Sequence, residues 1–383
     1  MALHFERSEF DARMDRLQAA MAADKLDAVL LFSQESMYWL TGYDTFGFVF
    51  FQCLVVSKER RMALLTRSAD LRQARHTSTI DEIIVWTDRA NVDPTKALKD
   101  HLFEMDLLGG RIGVEYDTHG LTAQNGRLLD DQLRSFATIE DASLMVPRLK
   151  AVKSPAEIAH VRQAAKLTDA AWEAAMARIE TGADEGEILA AMQGAVFAAG
   201  GDYPANEFVV GSGDDAMLVR SHSGRRRLEA DDQITLEFAG VWRRYHVAMM
   251  ETVVLGTPRP RHGELYETAA EALAAVTEAM RPGNTFGAVF DAHARVCQEH
   301  GMNGLRLNAC GYSLGASFAP SWMQWPMFYH ANSAIIEPDM VLFAHMVLVD
   351  PESHTAMALG RTYLTTEAEP EPLSAIPPAF LTR

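Results

Sequence analysis

The sequence predicts two parts: a smaller α/β domain over residues 1–150 and a larger α+β domain over residues 151–383. Three observations predict this. Before residue 150, short apolar runs alternate with amphipathic stretches, as in an α/β sheet domain. Beyond it, long helical stretches intervene between strand-like runs, which suits helices packed on antiparallel strands. Between the two, "KSPAEI" places Ser154 as N-cap, Pro155 at the first helical position and Glu157 three residues after the cap. That combination starts a helix, so a boundary is expected near Leu149 to Ser154.

In the first part, a helix through Met14 to Met21 leads to "DAVLLF", a short apolar run read as a buried strand. Further strands are expected at Cys53 to Ser57, Met62 to Thr66, Glu82 to Trp86 and Arg111 to Asp117. Helices are expected near Pro94 to Met105 and Thr122 to Leu133. In the second part, the helix from Ser154 is followed by others through Glu185 to Ala198, Leu265 to Met280 and Thr285 to His300. Strand-like runs fall at "EFVVG", "QITLEFAG", "MMETVVLG" and "MVLFAHMVLVD". The tail from Glu367, rich in Pro and Glu, reads as loosely ordered.

Composition restricts the partners. At 48% hydrophobic residues, 383 residues suffice for a large buried core. A formal charge of −17 repels nucleic acid and anionic membranes. The run Arg225 to Arg227 is the one obvious basic cluster, and a solvated turn is its simplest reading. Three cysteines, Cys53, Cys297 and Cys310, match no metal or redox spacing, which suits a reducing compartment. The N-terminus reads as a mixed-charge amphipathic helix, and no apolar run approaches the roughly 18–20 residues of a membrane span. A cytoplasmic protein is expected.

The chemistry centres on "LEFAGVWRRYHVAMMET", read as a strand, a turn and a second strand. Glu237 and Ala248 lie eleven residues apart in it. With "GGDYPANEFVVGSG", "DDQITLEFAG", "LRPGNTFGAVFDA", "CGYSLG" and "IEPDMVLFAHMVL", it resembles the pita-bread superfamily of creatinase, prolidase and aminopeptidase P. The resemblance covers nearly the whole chain. It implies a creatinase-like N-terminal α/β domain before a pita-bread α+β catalytic domain.

The resemblance also implies what has been lost. Where the metallopeptidases use two aspartates, a histidine and two glutamates, this chain has Glu237, Ala248, Tyr312, His345 and Gly360. Hard divalent ions need several oxygen ligands, and bridging two ions needs shared carboxylates. No metal and no cofactor are expected. In detail the chain is nearer the metal-free branch typified by ectoine hydrolase, through "LTGYD", "GGDYPA", "RRYH" and "GYSLGASFAPSW". That branch implies a nucleophilic role for Glu237. Its Pro-His histidine falls on Arg220, or on His222 if a two-residue gap is allowed.

Each candidate has a structural counterpart. Glu237 is a charge in an apolar strand, either reactive or paired with Arg243 or Arg244. His345 and His246 are proton-transfer candidates with His222, or histidines satisfied in the core. Tyr312 either packs or gives its hydroxyl to substrate. Arg220 either clamps a substrate carboxylate or makes a surface ion pair. Glu251 lies beside a substrate-binding position of creatinase. The aromatic stretches containing Tyr43 and Trp322 are core, a dimer interface, or an apolar lid that binds substrate.

The expected activity is metal-independent hydrolysis of an amide or amidine C–N bond in a small polar, carboxylate-bearing metabolite. The expected assembly is a homodimer without nucleic-acid or membrane partners. The alternatives are a metal-dependent Xaa-Pro dipeptidase-like enzyme and an inactive ligand-binding homologue.

Overall fold

The structure is a computed structural model that describes residues 3–220 and 223–383. The chain separates into two compact units, Met1–Lys150 and Ala151–Arg383.

The first unit carries a mixed sheet of β1 (Ala28–Leu31), β2 (Cys53–Ser57), β3 (Met62–Arg67), β4 (Glu82–Trp86), β5 (Arg111–Val114) and β6 (Thr138–Asp141). Their order is β4-β3-β2-β1-β5-β6, and β1 with β2 and β2 with β3 are the antiparallel pairs. Helices α1 (Arg7–Ala23), α2 (Gln34–Thr41), α3 (Leu71–Thr77), α4 (Pro94–Glu104), α5 (Ala123–Leu133) and α6 (Met145–Ala151) accompany it. One apolar layer sets Met14, Leu17 and Met21 of α1 beside Val29, Leu31, Leu54 and Val56. The other sets Leu98 and Leu102 of α4 and Leu129 and Leu133 of α5 beside Leu30, Val55 and Val114. Because successive side chains of a strand alternate between faces, a strand covered on both sides reads as one apolar run, as "AVLL" does.

The second unit opens with α7 (Pro155–Met176), whose capping box is complete: Ser154 Oγ accepts from Glu157 N, and Glu157 accepts from Ser154 N. Then come α8 (Glu185–Ala198), β7 (Val209–Ser212), β8 (Gln233–Trp242), β9 (Tyr245–Val254), α9 (Pro260–Ala279) and α10 (Phe286–Glu299). The chain continues through β10 (Gly311–Ser313), β11 (Gln324–Met327), β12 (Val341–Asp350), β13 (Thr355–Leu364), β14 (Glu371–Pro372) and β15 (Leu381–Thr382). The sheet runs β11-β10-β12-β13-β9-β8-β7. Arg243 and Arg244, both at positive φ (51° and 68°), close the β8–β9 hairpin between paired Trp242 and Tyr245. Such a two-residue left-handed turn matches the twist of the strands it joins.

Helices cover one face. Leu265, Leu273, Val276 and Phe290 pack on Leu342, Ala344, Met346 and Leu348 of β12. Thr168 Oγ1 of α7 donates to Val247 O (2.7 Å) and accepts from Gly240 N (3.0 Å). A Cβ at Gly240 would stand 2.2 Å from Ala164 O, so only glycine allows α7 so close. The other face is concave, and its curvature positions the site. Tyr312 on β10 and Glu237 on β8 are four strand steps apart, roughly 19 Å along a flat sheet. Their side chains are nevertheless 3.3 Å apart. The bridge between Tyr245 and Ala316 and the bond from His246 N to Gly315 O (3.2 Å) help hold this curl.

The tail departs from expectation. Glu371–Pro372 pair with β13, Leu381–Thr382 pair with β9, and Arg361 holds Ile376 O (3.1 Å) and Pro377 O (3.2 Å). Free β-strand edges and one buried guanidinium order a segment whose composition suggests disorder. The arginine run is likewise more than a solvated turn. Arg225 N and Arg226 N donate to Glu185, and the Arg226 side chain pairs with Asp232 and Glu229.

Candidate active site

Strand alternation decides which candidates share the concave face. Glu237 is paired with Met250, and Met250 with Gly360, which is paired with His345. Ala248 and His246, two and four residues before Met250, face the same way. Tyr312 joins them from β10 across from Phe343.

Glu237 is the one residue of Gln233–Val241 that is not buried. Protein nonetheless surrounds most of its carboxyl, and burial pushes its pKa up to about 7. The Tyr312 hydroxyl and the Arg220 charge both oppose that shift. Arg243 and Arg244 lie in the hairpin turn, away from Glu237 along the strand, so the ion pair weighed for it is not made. Tyr312 Oη donates to Glu237 Oε1 at 3.3 Å and accepts from Trp322 Nε1 at 2.9 Å. Burial raises the Tyr312 pKa well above its ordinary value, so the phenol keeps its proton. That proton goes to Glu237, where sequence reasoning had offered it to substrate. Arg220 follows the short helical turn Gly213–Met217 and is exposed, close enough for its charge to act on Glu237. His222 lies outside the described residues.

His345 packs on the rings of Tyr312 (5.6 Å) and Phe343 (5.4 Å), and burial lowers its pKa to about 4. It is a neutral imidazole at physiological pH. Its buried Nδ1 has no hydrogen-bond partner among the described residues, and its link to Glu237 runs through Tyr312. His246 is different. Its Nδ1 donates to Arg244 O (2.8 Å), its Nε2 accepts from Ala205 N (3.0 Å), and burial lowers its pKa to about 4. With both nitrogens held by backbone, the proton-transfer role expected of His246 gives way to a structural one.

Two more expectations are corrected. Glu251 lies on the helix-covered face, where Arg361 Nη2 meets its Oε1 (3.0 Å) and Arg361 Nη1 its Oε2 (3.3 Å). Both side chains are 2% exposed, so Glu251 contacts no substrate in the concavity. Tyr43 is a core residue of the first unit, fully buried, with its hydroxyl 3.3 Å from Gln52 Oε1. Trp322 is also fully buried and acts on the site through Tyr312. Asn206 escaped sequence reasoning although it lies in the landmark "GGDYPANEFVVGSG"; its Oδ1 accepts from Trp322 N at 2.9 Å.

The five positions matching the metallopeptidase ligands do not fit a dinuclear metal centre. Ala248 and Gly360 have no donor atom, and Glu237 is the only carboxylate among the five. A Cβ at Gly360 would stand 2.8 Å from the Phe343 ring and 2.9 Å from Met250 Cβ. An aromatic ring fills the space a ligand side chain would cross. Among the described residues, no group of three or more His, Cys, Asp or Glu could hold a metal ion.

Residues 159–367 match metallopeptidase family M24, and residues 13–152 match the creatinase/prolidase N-terminal domain. The chain belongs to family M24. It is 27% identical over 361 residues to ectoine hydrolase of Halomonas elongata, covering 89% of each chain. It is 20% identical over 332 residues to a Xaa-Pro dipeptidase of Pyrococcus furiosus, covering 86% of this chain and 88% of that one. The prolidase of Thermococcus sibiricus superposes with a TM-score of 0.86 at 17% identity, over 98% of this chain and 99% of its own. The architecture is thus the pita-bread α+β catalytic domain after a creatinase-like α/β domain, and the family is one of hydrolases acting on carbon–nitrogen bonds. No helix among the described residues is long and apolar enough to cross a membrane.

Proposed function

We propose that this M24 member is a metal-independent hydrolase that opens an amide or amidine C–N bond in a small polar metabolite carrying a carboxylate. The observation that carries this reading is the Glu237 carboxyl, partly exposed on the concave face where the metal-ligand positions offer no other carboxylate. A poorly solvated carboxylate is a better nucleophile and a stronger base than one in water. Near neutrality Glu237 is divided between its two protonation states, which suits either task. Arg220, exposed, presents the planar fork that suits a carboxylate. Neutral His345 supplies an unbonded ring nitrogen for proton movement behind Tyr312. Likeness to the ectoine hydrolase, more extensive than to the dipeptidase, supports an amidine or amide centre. A cytoplasmic location agrees with the three free, buried cysteines.

The test is hydrolysis of cyclic amidines, guanidino acids and N-acyl amino acids by chelator-stripped protein, with Glu237→Gln beside it. Turnover is expected to persist in EDTA and to fall by orders of magnitude in the variant. Activity that returns only with added divalent metal sinks the reading. Repeated turnover in ¹⁸O water then separates the two tasks of Glu237, because only a covalent route leaves ¹⁸O in its carboxyl.

A further inference from the structure

Between Glu237 and the strand that carries His246 runs a series of hydrogen bonds with a direction. An indole nitrogen can only donate. The Trp322 Nε1–H therefore takes a lone pair of Tyr312 Oη (2.9 Å) and leaves the phenol's single proton to Glu237 Oε1 (3.3 Å). Without that indole, the phenol proton would be free to turn elsewhere. Trp322 is itself held from behind. Its backbone N–H donates to Asn206 Oδ1 (2.9 Å), and its carbonyl accepts from Ser317 Oγ (3.4 Å). The neighbouring Ala205 N–H donates to His246 Nε2 (3.0 Å), and His246 Nδ1–H donates to Arg244 O (2.8 Å). The His246 and Trp322 rings lie 6.0 Å apart. The residues 205–206 segment is thus fastened to β9 on one side and to Trp322 on the other.

We propose that Trp322 is a positioning residue for Glu237, aiming the Tyr312 proton at the carboxylate, and that Asn206 and His246 hold the indole at the required angle. The inference rests on Glu237 being the reacting group. Its consequence is a Glu237 that ionises more readily than its burial alone would allow, since a donated proton favours the charged form. Other charged or titratable groups bear on Glu237 too: Arg220 through its charge, and His345 behind Tyr312. Its partners across the flanking strands, Val209 and Met250, are neutral.

The test titrates Glu237 in the ligand-free protein by its infrared carboxyl band, assigned by its loss in Glu237→Gln. Trp322→Phe is expected to make Glu237 an acid about tenfold weaker, because a charge-assisted hydrogen bond is removed or misdirected. Tyr312→Phe is expected to do the same, and the double variant to add nothing, since both act through one proton. Asn206→Ala keeps the indole but frees its backbone, and a shift in the same direction is expected. Should Trp322→Phe not fold, Asn206→Ala decides alone. Titration unchanged from the parent in Trp322→Phe or in Asn206→Ala, or shifts that add in the double variant, overturn the inference. Full turnover in Glu237→Gln would overturn the catalytic reading instead and leave the titration result standing.

Discussion

Arg361→Met should unfold the second unit more readily without touching the concave face. Arg361 makes two contacts to the Glu251 carboxylate, at 3.0 and 3.3 Å, and others to the carbonyls of Gly360 (2.8 Å), Ile376 (3.1 Å) and Pro377 (3.2 Å). Methionine fills much of the volume but leaves a carboxylate on a side chain 2% exposed with no opposite charge. Removing one member of a buried pair costs about 3–5 kcal/mol. For a unit of this size that is a fall in Tm of roughly 6–20 °C, at about 2–4 °C per kcal/mol. The pH dependence has a definite sign. Burial already pushes the Glu251 carboxyl upward, and the guanidinium, with a smaller contribution from the Ala379 backbone, opposes it. With a folded pKa above the unfolded value, ionisation penalises the fold, so the variant loses further stability as pH rises from about 5 to 8. Denaturant unfolding at fixed pH measures the loss. Pairing the change with Glu251→Leu removes the orphan charge and should restore most of the stability. A loss below about 1 kcal/mol, or a double variant no better than the single one, would refute the reasoning.

The other predictions concern the site and the assembly. If Glu237 acts as a carboxylate with a pKa of about 7, kcat/KM should fall about tenfold per pH unit below neutrality. His246 and His345, neutral down to about 4, should add no second break between pH 5 and 7; an acid limb centred near 4.5 would remove Glu237 from the free-enzyme profile. Phe46 is 83% exposed, with Val49 at 61% and Phe50 at 50% beside it. An apolar group so exposed favours self-association, so light scattering at micromolar concentration should give a dimer mass that Phe46→Glu reduces; a monomer in the parent would refute this.

How far the sequence disclosed this arrangement depended on the range of the interactions. Local signals were legible: the Ser154–Glu157 capping box sits where the sequence put it, and the strands around Glu237 follow from their apolar pattern. Facing was legible too, for Glu251 as for the others. Glu251 lies three positions beyond Ala248, an odd offset along the strand, so it must point away from the face Ala248 shares with His246. What stayed hidden was contact between distant segments. Nothing near His246 in the chain announces that Ala205 will occupy its Nε2. Nothing in the Pro-rich tail announces Arg361 beneath it. Asn206 sat in plain view within a landmark, but its value depends on where Trp322 comes to rest.

The Phe343 ring against Gly360 also bears on how such a chain can change over generations. At this position a return to glutamate would drive a new side chain into Phe343 and Met250 before it could approach any ion. Overpacking of that kind costs about 1–3 kcal/mol or more, and Ala248 would still lack its carboxylate. A glutamate at Gly360 alone would therefore lower stability without rebuilding a metal site. Phe343 thus guards Gly360 against a ligand side chain, so building a metallopeptidase site here would require several replacements together, beginning with a smaller residue at Phe343.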